Sequence, residues 1–345
     1  MKIKSTLLLV ALVLTVLNSQ AQNFETILLA RADASKISSA YLSPVTKGLI
    51  YTSNVGWYHT AKVHKTLGFD ITIGLNAAFV PSKDELFNIP ALNLSSNTSV
   101  LNGQANSPTI IANNSVTPAQ VRYTSTVQGQ TVQADFTLPN GARDDFPLNS
   151  VPAPAIQVGL GLPAKFEVMV RYLPKLGPDD TKLGLFGLGL KKEITDWFGP
   201  LDKTPLHVSL LGAYTNFSVN HDFGNTTGSV STQDGTANFK LNSYTIQAIA
   251  SLNFPIINVY GGFGYTGGST KLSVDGTYTL TYQTNNPTVP TVSESITNPL
   301  ALTQDAGGVT ATVGARVSLG FFKLFGSYTL QEYNAVNAGI SFSFR

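Results

Sequence analysis

Hydrophobic and polar positions alternate with period two over several long stretches of the chain. From Phe69 to Phe79 the apolar set is Phe69, Ile71, Ile73, Leu75, Ala77 and Phe79, with Asp70, Thr72, Gly74, Asn76 and Ala78 between them. Residues 244–254, 309–321 and 338–344 repeat the pattern. Such alternation predicts strand rather than helix, and strands longer than the roughly five or six residues of an ordinary sheet. Weaker members of the set are residues 49–59, 156–162, 166–172, 183–191, 206–216, 257–265 and 322–330. Residues 120–138 and 271–283, rich in Thr and Tyr, each add a strand or extend a hairpin. The set predicts an all-β chain, an antiparallel up-and-down transmembrane barrel of about 12 strands, roughly 10–14, with a short N-terminal helix.

A soluble β-sandwich also has one apolar face per strand. Three features favour the barrel: the segments are long, their second face is rich in Gly, Ser and Thr, and the sequence ends on a strand. Small inner side chains leave a lumen, as a porin-like barrel needs. The connections divide into short ones (163–165, 253–255, 320–322, 333–335) and long polar ones (81–152, 221–236, 284–306). Short periplasmic turns and long outer loops are the arrangement of an outer-membrane barrel. Residues 93–115, low in charge and heavy in Asn and Ser, are expected to be loop.

The N-terminal region departs from period two. Lys2 and Lys4 precede an apolar run from Leu7 to Leu17, and Ser19 and Ala21 supply the small residues before a cleavage site. Residues 1–21 are therefore expected to be a secretory signal peptide, with export to the outer membrane. In residues 22–47, Phe24, Ile27, Leu28, Arg31, Ala34, Ile37 and Tyr41 recur at helical spacing, and Pro44 is expected to end the run. The barrel is then expected over 48–345. An amphipathic helix here lies beneath the barrel or enters it as a plug, because its apolar stripe needs a partner. Phe186, Leu188, Leu190, Leu211 and Phe217 are expected as an apolar patch on the inner face that would supply one, leaving Arg31, Asp33 and Lys36 toward Glu167 and Arg171. A short helical piece is expected over 192–198.

Composition sharpens the class. The charged fraction is 12%, about half of what a soluble globular chain carries, and the net charge is +2. That balance argues against a nucleic-acid partner, and the absence of Cys removes disulfides and thiolate metal sites. Asp70, Lys165, Glu167, Arg171 and Arg316 alternate with apolar neighbours. Facing lipid, an Arg or Lys costs roughly 2–4 kcal/mol at the midplane, so these five are expected in the lumen, bracing the barrel or setting a pore's selectivity. Gly262, Gly264 and Gly267 match a dinucleotide fingerprint, but the run continues as strand, so inner-face glycines explain it better. His221, at the expected outer rim, is the one hint of a hydrolase. No metal or cofactor is expected, and the chain is expected not to be an enzyme.

Several pieces resemble Gram-negative outer-membrane β-barrel proteins, and a family of such barrels of unknown function. They are the stretch from Ala34 through Pro44, residues 56–62 (Gly-Trp-Tyr-His-Thr-Ala-Lys), Gly68-Phe69-Asp70, residues 163–167 and residues 340–344. The resemblance implies that Phe342 and Phe344, in the last strand, form the signal read by the barrel assembly machinery. A more distant architectural likeness is to long-chain fatty-acid transporters, which join an N-terminal plug to a barrel. The expected role is passage of small or hydrophobic solutes through a barrel bedded in outer-membrane lipid. The alternatives are a non-conducting barrel that displays loops for adhesion or partner binding, and an outer-membrane hydrolase.

Overall fold

The computed structural model describes residues 25–146, 150–178 and 180–344; the expected signal peptide and Phe24 lie outside them. A 3-10 stretch (Thr26–Asp33) leads into helix α1 (Ala34–Asn54). Strand β1 (Phe69–Phe79) is followed by short strands β2 (Leu86–Asn88), β3 (Thr98–Val100) and β4 (Asn106–Pro108), then by β5 (Gln120–Val127) and β6 (Gln130–Thr137). The series continues with β7 (Ser150–Leu162), β8 (Phe166–Leu176), β9 (Thr181–Glu193), β10 (Leu206–Thr226), β11 (Val230–Asn253) and β12 (Ile257–Thr284). It ends with β13 (Thr291–Thr297), β14 (Leu300–Leu319), β15 (Phe322–Leu330) and β16 (Ala335–Phe344).

Ten of these strands close into a ring. The order is β1, β7, β8, β9, β10, β11, β12, β14, β15, β16 and back to β1, every pair antiparallel. The seam runs from Phe69 opposite Phe344 to Ala78 opposite Ala335. The ring thus has ten strands rather than about twelve. Residues 120–138 form the β5–β6 hairpin outside it, residues 271–283 lengthen β12, and residues 49–59 are not strand at all.

The alternation sets the two faces. Ile71, Ile73, Ile246, Phe263, Val309, Val313 and Leu324 are exposed on the outer face, while Asp70, Thr72, Asn76, Thr310 and Arg316 are buried within. An apolar belt around a closed ring with every ladder paired is the surface of a membrane-spanning barrel. Aromatic girdles bound the belt. At the end of the short turns, Phe344 stacks on Phe69 (centroids 5.0 Å apart) and Phe342 packs edge-on to Phe322 (5.6 Å). At the other end Tyr214, Tyr244, Tyr265 and Tyr328 are exposed. The turn end is the periplasmic one by the usual orientation of such barrels.

The wall is uneven. β1, β15 and β16 have 11, 9 and 10 residues, whereas β11 and β12 have 24 and 28. At ~3.3 Å per residue β12 is about 90 Å long, far more than an apolar band about 25 Å tall requires. The surplus rises above the belt and joins residues 80–146 in a cap. Two expected loops are therefore largely strand: 221–236 is the β10–β11 hairpin, and 284–306 contains β13 and the start of β14. Residues 93–115 hold β3 and β4 and contribute Ile110 and Ile111 to a buried core.

That core is where the apolar stripe of the N-terminal region goes. Ile27, Leu28, Leu29, Ile37 and Tyr41 pack with Phe87, Val121, Phe136, Tyr278 and Tyr282. Each large aliphatic buried there contributes about 1.5–3 kcal/mol. Phe186, Leu188 and Leu190 do not receive the stripe, because they face lipid on β9, opposite in phase to the inward Gly187, Gly189 and Lys191. Nor do Arg31 and Asp33 meet lumen charges. Arg31 pairs with Glu294 of β13, and the Asp33 carboxylate accepts from Ser95 Oγ at 2.6 Å and Thr98 Oγ1 at 2.7 Å. Burial pushes the Asp33 carboxyl up, but these bonds and Lys36 outweigh it and hold it below its ordinary value. The expected helix over 192–198 is instead a 3-10 stretch, Thr195–Lys203, following a strand that runs to Glu193.

An arginine placed in the belt should harm the protein far more than one on the same strand and face above it. Val313→Arg is expected to cost about 2–4 kcal/mol near the midplane, and Ala301→Arg, opposite Ser273, close to nothing. Folding yield in lipid, read by heat-modifiable gel mobility, checks this, and equal yields would contradict the placement of the belt.

Candidate functional site

The candidate site is the interior of the ring. Helix α1 continues past Pro44 to Asn54, and the chain then runs irregularly, with bends and a turn at Thr66–Leu67, before β1 begins at Phe69, so the barrel does not start at residue 48. A proline inside a helix costs ~3 kcal/mol, and Pro44 was expected to stop this one. The second half of α1 is enclosed by β1, β7, β10, β11, β12 and β14, where the helix is what pairs its backbone. Side chains support its last turns: Thr52, Ser53 and Asn54 donate to the carbonyls of Gly48, Leu49 and Ile50.

Residues 55–67 have no ladder partner along the lumen, and side chains from the wall meet many of their backbone groups. Gln157 Nε2 donates to Trp57 O at 3.2 Å, and Ser209 Oγ donates to Ala61 O at 2.5 Å. The Ala61 N–H donates to Ser251 Oγ at 3.0 Å, Val63 N–H to Glu193 Oε2 at 3.1 Å and His64 N–H to Glu167 Oε2 at 3.0 Å. Lys191 Nζ lies 3.4 Å from both Thr60 O and Lys62 O, and 2.9 Å from Glu167. At the lower end Leu67 N–H reaches Gly161 O at 2.9 Å. The segment therefore passes from the cap through the barrel to the periplasmic end.

Arg171 terminates α1. Its guanidinium donates to Ser53 O at 3.2 Å and Val55 O at 3.0 Å, carbonyls at the end of the helix, and to Gln157 Oε1 at 3.0 Å. A cation is favoured at a helix C-terminus, and this one also lies 3.8 Å over the Trp57 ring. Gly187 and Gly189 make room for that ring. A Cβ at either would stand 3.0 Å from indole atoms, so the side-chain-free inner face here admits a tryptophan rather than leaving a channel.

Below lies a charged cluster. Asp70 accepts from Thr72 Oγ1 and Ser341 Oγ, both at 2.9 Å, and lies 3.4 Å from His59 Nε2 and 3.3 Å from His64 Nε2. Arg316 Nη1 is 3.0 Å from His59 Nδ1. Arginine only donates, which assigns Nδ1 as acceptor and leaves the proton on Nε2 toward Asp70. Three buried acids (Asp70, Glu167, Glu193) and three buried bases (Arg171, Lys191, Arg316) so line the segment, with Lys323 on the inner face of β15 near Arg316 and Asp70.

Of the five charges expected in the lumen, Asp70, Glu167, Arg171 and Arg316 lie there. Lys165 does not. It follows Ala164 in a turn with both φ positive (57° and 58°), pairs with Asp196, and borders a cavity of about 480 Å³ at the periplasmic mouth. Lys191, Glu193, His59 and His64 were not anticipated, although the run Gly187-Leu188-Gly189-Leu190-Lys191 carried the signal, glycine in phase with the inward charge. Phe342 and Phe344 stand in the lower girdle. His221 Nδ1 lies 2.7 Å from Thr181 Oγ1 and its ring packs on Phe223, and no acid among the described residues pairs with it. Among the described residues no group of three His, Cys, Asp or Glu could hold a metal ion.

A closed ten-strand ring with an apolar belt is an outer-membrane β-barrel, and one family has this sequence. The chain belongs to the Family of unknown function (DUF6588), matched over residues 1–344. No curated protein matches it. Among solved structures it is similar to Ail, the attachment invasion locus protein of Yersinia pestis, at 8% identity and TM-score 0.25, covering 81% of this chain and 100% of that one. It is similar to the Ralstonia pickettii toluene transporter TbuX at 12% identity and TM-score 0.17, covering 89% and 93%. A triple mutant of the Rhodopseudomonas blastica porin matches at 10% and 0.13, covering 80% and 100%. At such scores these likenesses carry no argument about role.

Removing the helix stop should loosen the plug. Arg171→Leu removes the donor to Ser53 O and Gln157 Oε1 and leaves Val55 O with Asn76 Nδ2 at 3.3 Å, and it is expected to cost on the order of 3 kcal/mol. Arg171→Lys, a point charge without the fork, should recover part of this. Guanidinium unfolding of the micelle-bound protein measures both, and a leucine variant as stable as wild type would contradict the capping role.

Proposed function

We propose that this protein is a closed outer-membrane barrel that holds an ordered cap at the outer surface, and that the cap, not a pore, is its working part. The observation that carries this reading is the chain threaded through the ring, Trp57 seated on Gly187 and Gly189 with Arg171 above it. Support also comes from the cap, whose buried core joins the N-terminal stripe to loop and strand residues. A surface built this way presents fixed side chains to a partner rather than mobile loops, and pays less ordering entropy on binding.

A conducting or transporting barrel would need residues 55–67 to leave the lumen. That movement would strip partners from Glu167, Glu193, Lys191 and Arg171 at once. Each buried polar group left unmet costs about 1–3 kcal/mol, more when charged. The closed state is therefore favoured unless a ligand supplies that free energy.

Planar-bilayer recording tests the reading. The purified full-length mature protein is expected to give no unitary conductance, whereas Trp57→Gly combined with Tyr58→Gly should leak ions. Stable conductance steps from the wild type would overturn the proposal.

A further inference from the structure

The outer surface carries a depression at the top of the apolar belt that sheet register builds from side chains far apart in sequence. One outward row across β10, β11, β12 and β14 reads Tyr214, Tyr244, Gly267, Gly307. The row above it reads Asn216, Asn242, Ser269, Asp305, and the row below holds Ile246, Tyr265 and Val309. Two consecutive glycines in the middle row leave backbone as the floor. The Tyr244 hydroxyl would stand 3.1 Å from a Cβ on Gly267, and the Tyr265 hydroxyl 3.0 Å from one on Gly307, so the two rings wall the floor. Their planes lie 25° apart with centroids at 6.3 Å.

The depression opens sideways. β15 ends at Leu330 opposite Ala311, so residues 300–310 of β14 have no partner on that side among the described strands. Through this gap Lys47 of the plug helix and Glu332 of the β15–β16 turn reach the same cavity, whose volume is about 690 Å³. That is within the range of small-molecule sites, ~300–1,000 Å³. Tyr214 Oη and Asn216 Nδ2 hold Asn242 Oδ1 at 2.6 and 2.8 Å, which fixes the amide and turns its Nδ2 donor free of that pair.

We propose that this depression binds the neutral saccharide headgroup of a glycolipid in the surrounding leaflet. Tyrosine ring faces accept the apolar C–H face of a sugar ring, and their hydroxyls and the Asn242–Ser269–Asp305 row match its hydroxyls as donors and acceptors. The position fits an amphiphile, since Ile246, Phe263 and Val309 directly below are among the most exposed apolar side chains of the belt. Charge selects against an anionic headgroup: Lys47 lies 3.5 Å from Glu332, and Asp305 adds a second carboxylate. Within the lining itself a phosphate would meet two carboxylates and one cation, while Lys240 and Lys271 stand one row higher on the same face.

Native mass spectrometry of the full-length mature protein, released from phosphatidylcholine nanodiscs doped with monoglucosyl diacylglycerol, tests this. Glycolipid is expected to be retained about tenfold over phosphatidylcholine, a difference near 1.4 kcal/mol. Tyr265→Ala and Asp305→Ala, both on the lipid-side face, should abolish the enrichment while keeping heat-modifiable mobility. Equal retention of the two lipids overturns the proposal. So does preference for phosphatidylglycerol in a parallel disc, which would indicate an anion site. Saturable binding of free maltose at the same residues without glycolipid enrichment would also overturn it, indicating a soluble sugar.

Discussion

A stretch of backbone without a ladder cannot be buried unless something else meets its N–H and C=O groups. Residues 55–67 are in that position, surrounded by a wall whose own ladders are complete. The inward side chains of β7, β8, β9, β10 and β11 answer the requirement one group at a time, with Gln157, Glu167, Lys191, Glu193, Ser209 and Ser251 each taking a backbone partner. The polar inner face that suggests a water-filled channel is here a receptor for the protein's own chain. Matched numbers of buried acids and bases follow from the same constraint, because an unpaired charge in this enclosure would be costly.

The same segment ties the two halves of the molecule together. Its upper end is α1, whose first turns belong to the cap through Tyr41, which donates to Asn140 O at 2.9 Å and whose carbonyl accepts from Ile110 N–H. Its lower end is continuous with β1, the strand that closes the ring against β16. Cap order and barrel closure are thus coupled through one helix and a short irregular run. The uneven wall serves this arrangement: the tall β11, β12 and β14 carry the cap, while the low β15–β16 edge leaves space where Tyr51 of α1 stacks on Tyr333 (5.7 Å).

Much of the ring was legible because lipid imposes one simple rule on one face. β1, β11, β14 and β16 alternate cleanly since every second residue must be apolar, and their inner residues are small or polar. Where burial is on all sides the rule fails. Residues 49–59 look strand-like because Leu49, Tyr51, Val55 and Trp57 happen to alternate, yet helix ends and irregular plug begins within them. The phase of β9 was inverted in expectation since Phe186, Leu188 and Leu190 are apolar and could face either way; only the glycines opposite them, which admit Trp57, decide it. Lys165 was misplaced by a turn whose positive φ values break the alternation. No local pattern announces that His59 lies between Arg316 and Asp70, since those three come from the plug and two distant strands.

Cap, closure and charge pairing all depend on residues 55–67 lying inside the ring. Thr60 Oγ1 is 3.2 Å from Ser251 Oγ on the inner face of β11, and the chain has no cysteine of its own. In a Thr60→Cys, Ser251→Cys double variant, folded in the membrane and then mildly oxidised, the two thiols should join into a disulfide that shifts the mobility of the denatured chain. Both thiols remaining free and open to alkylation in the folded barrel would contradict the account.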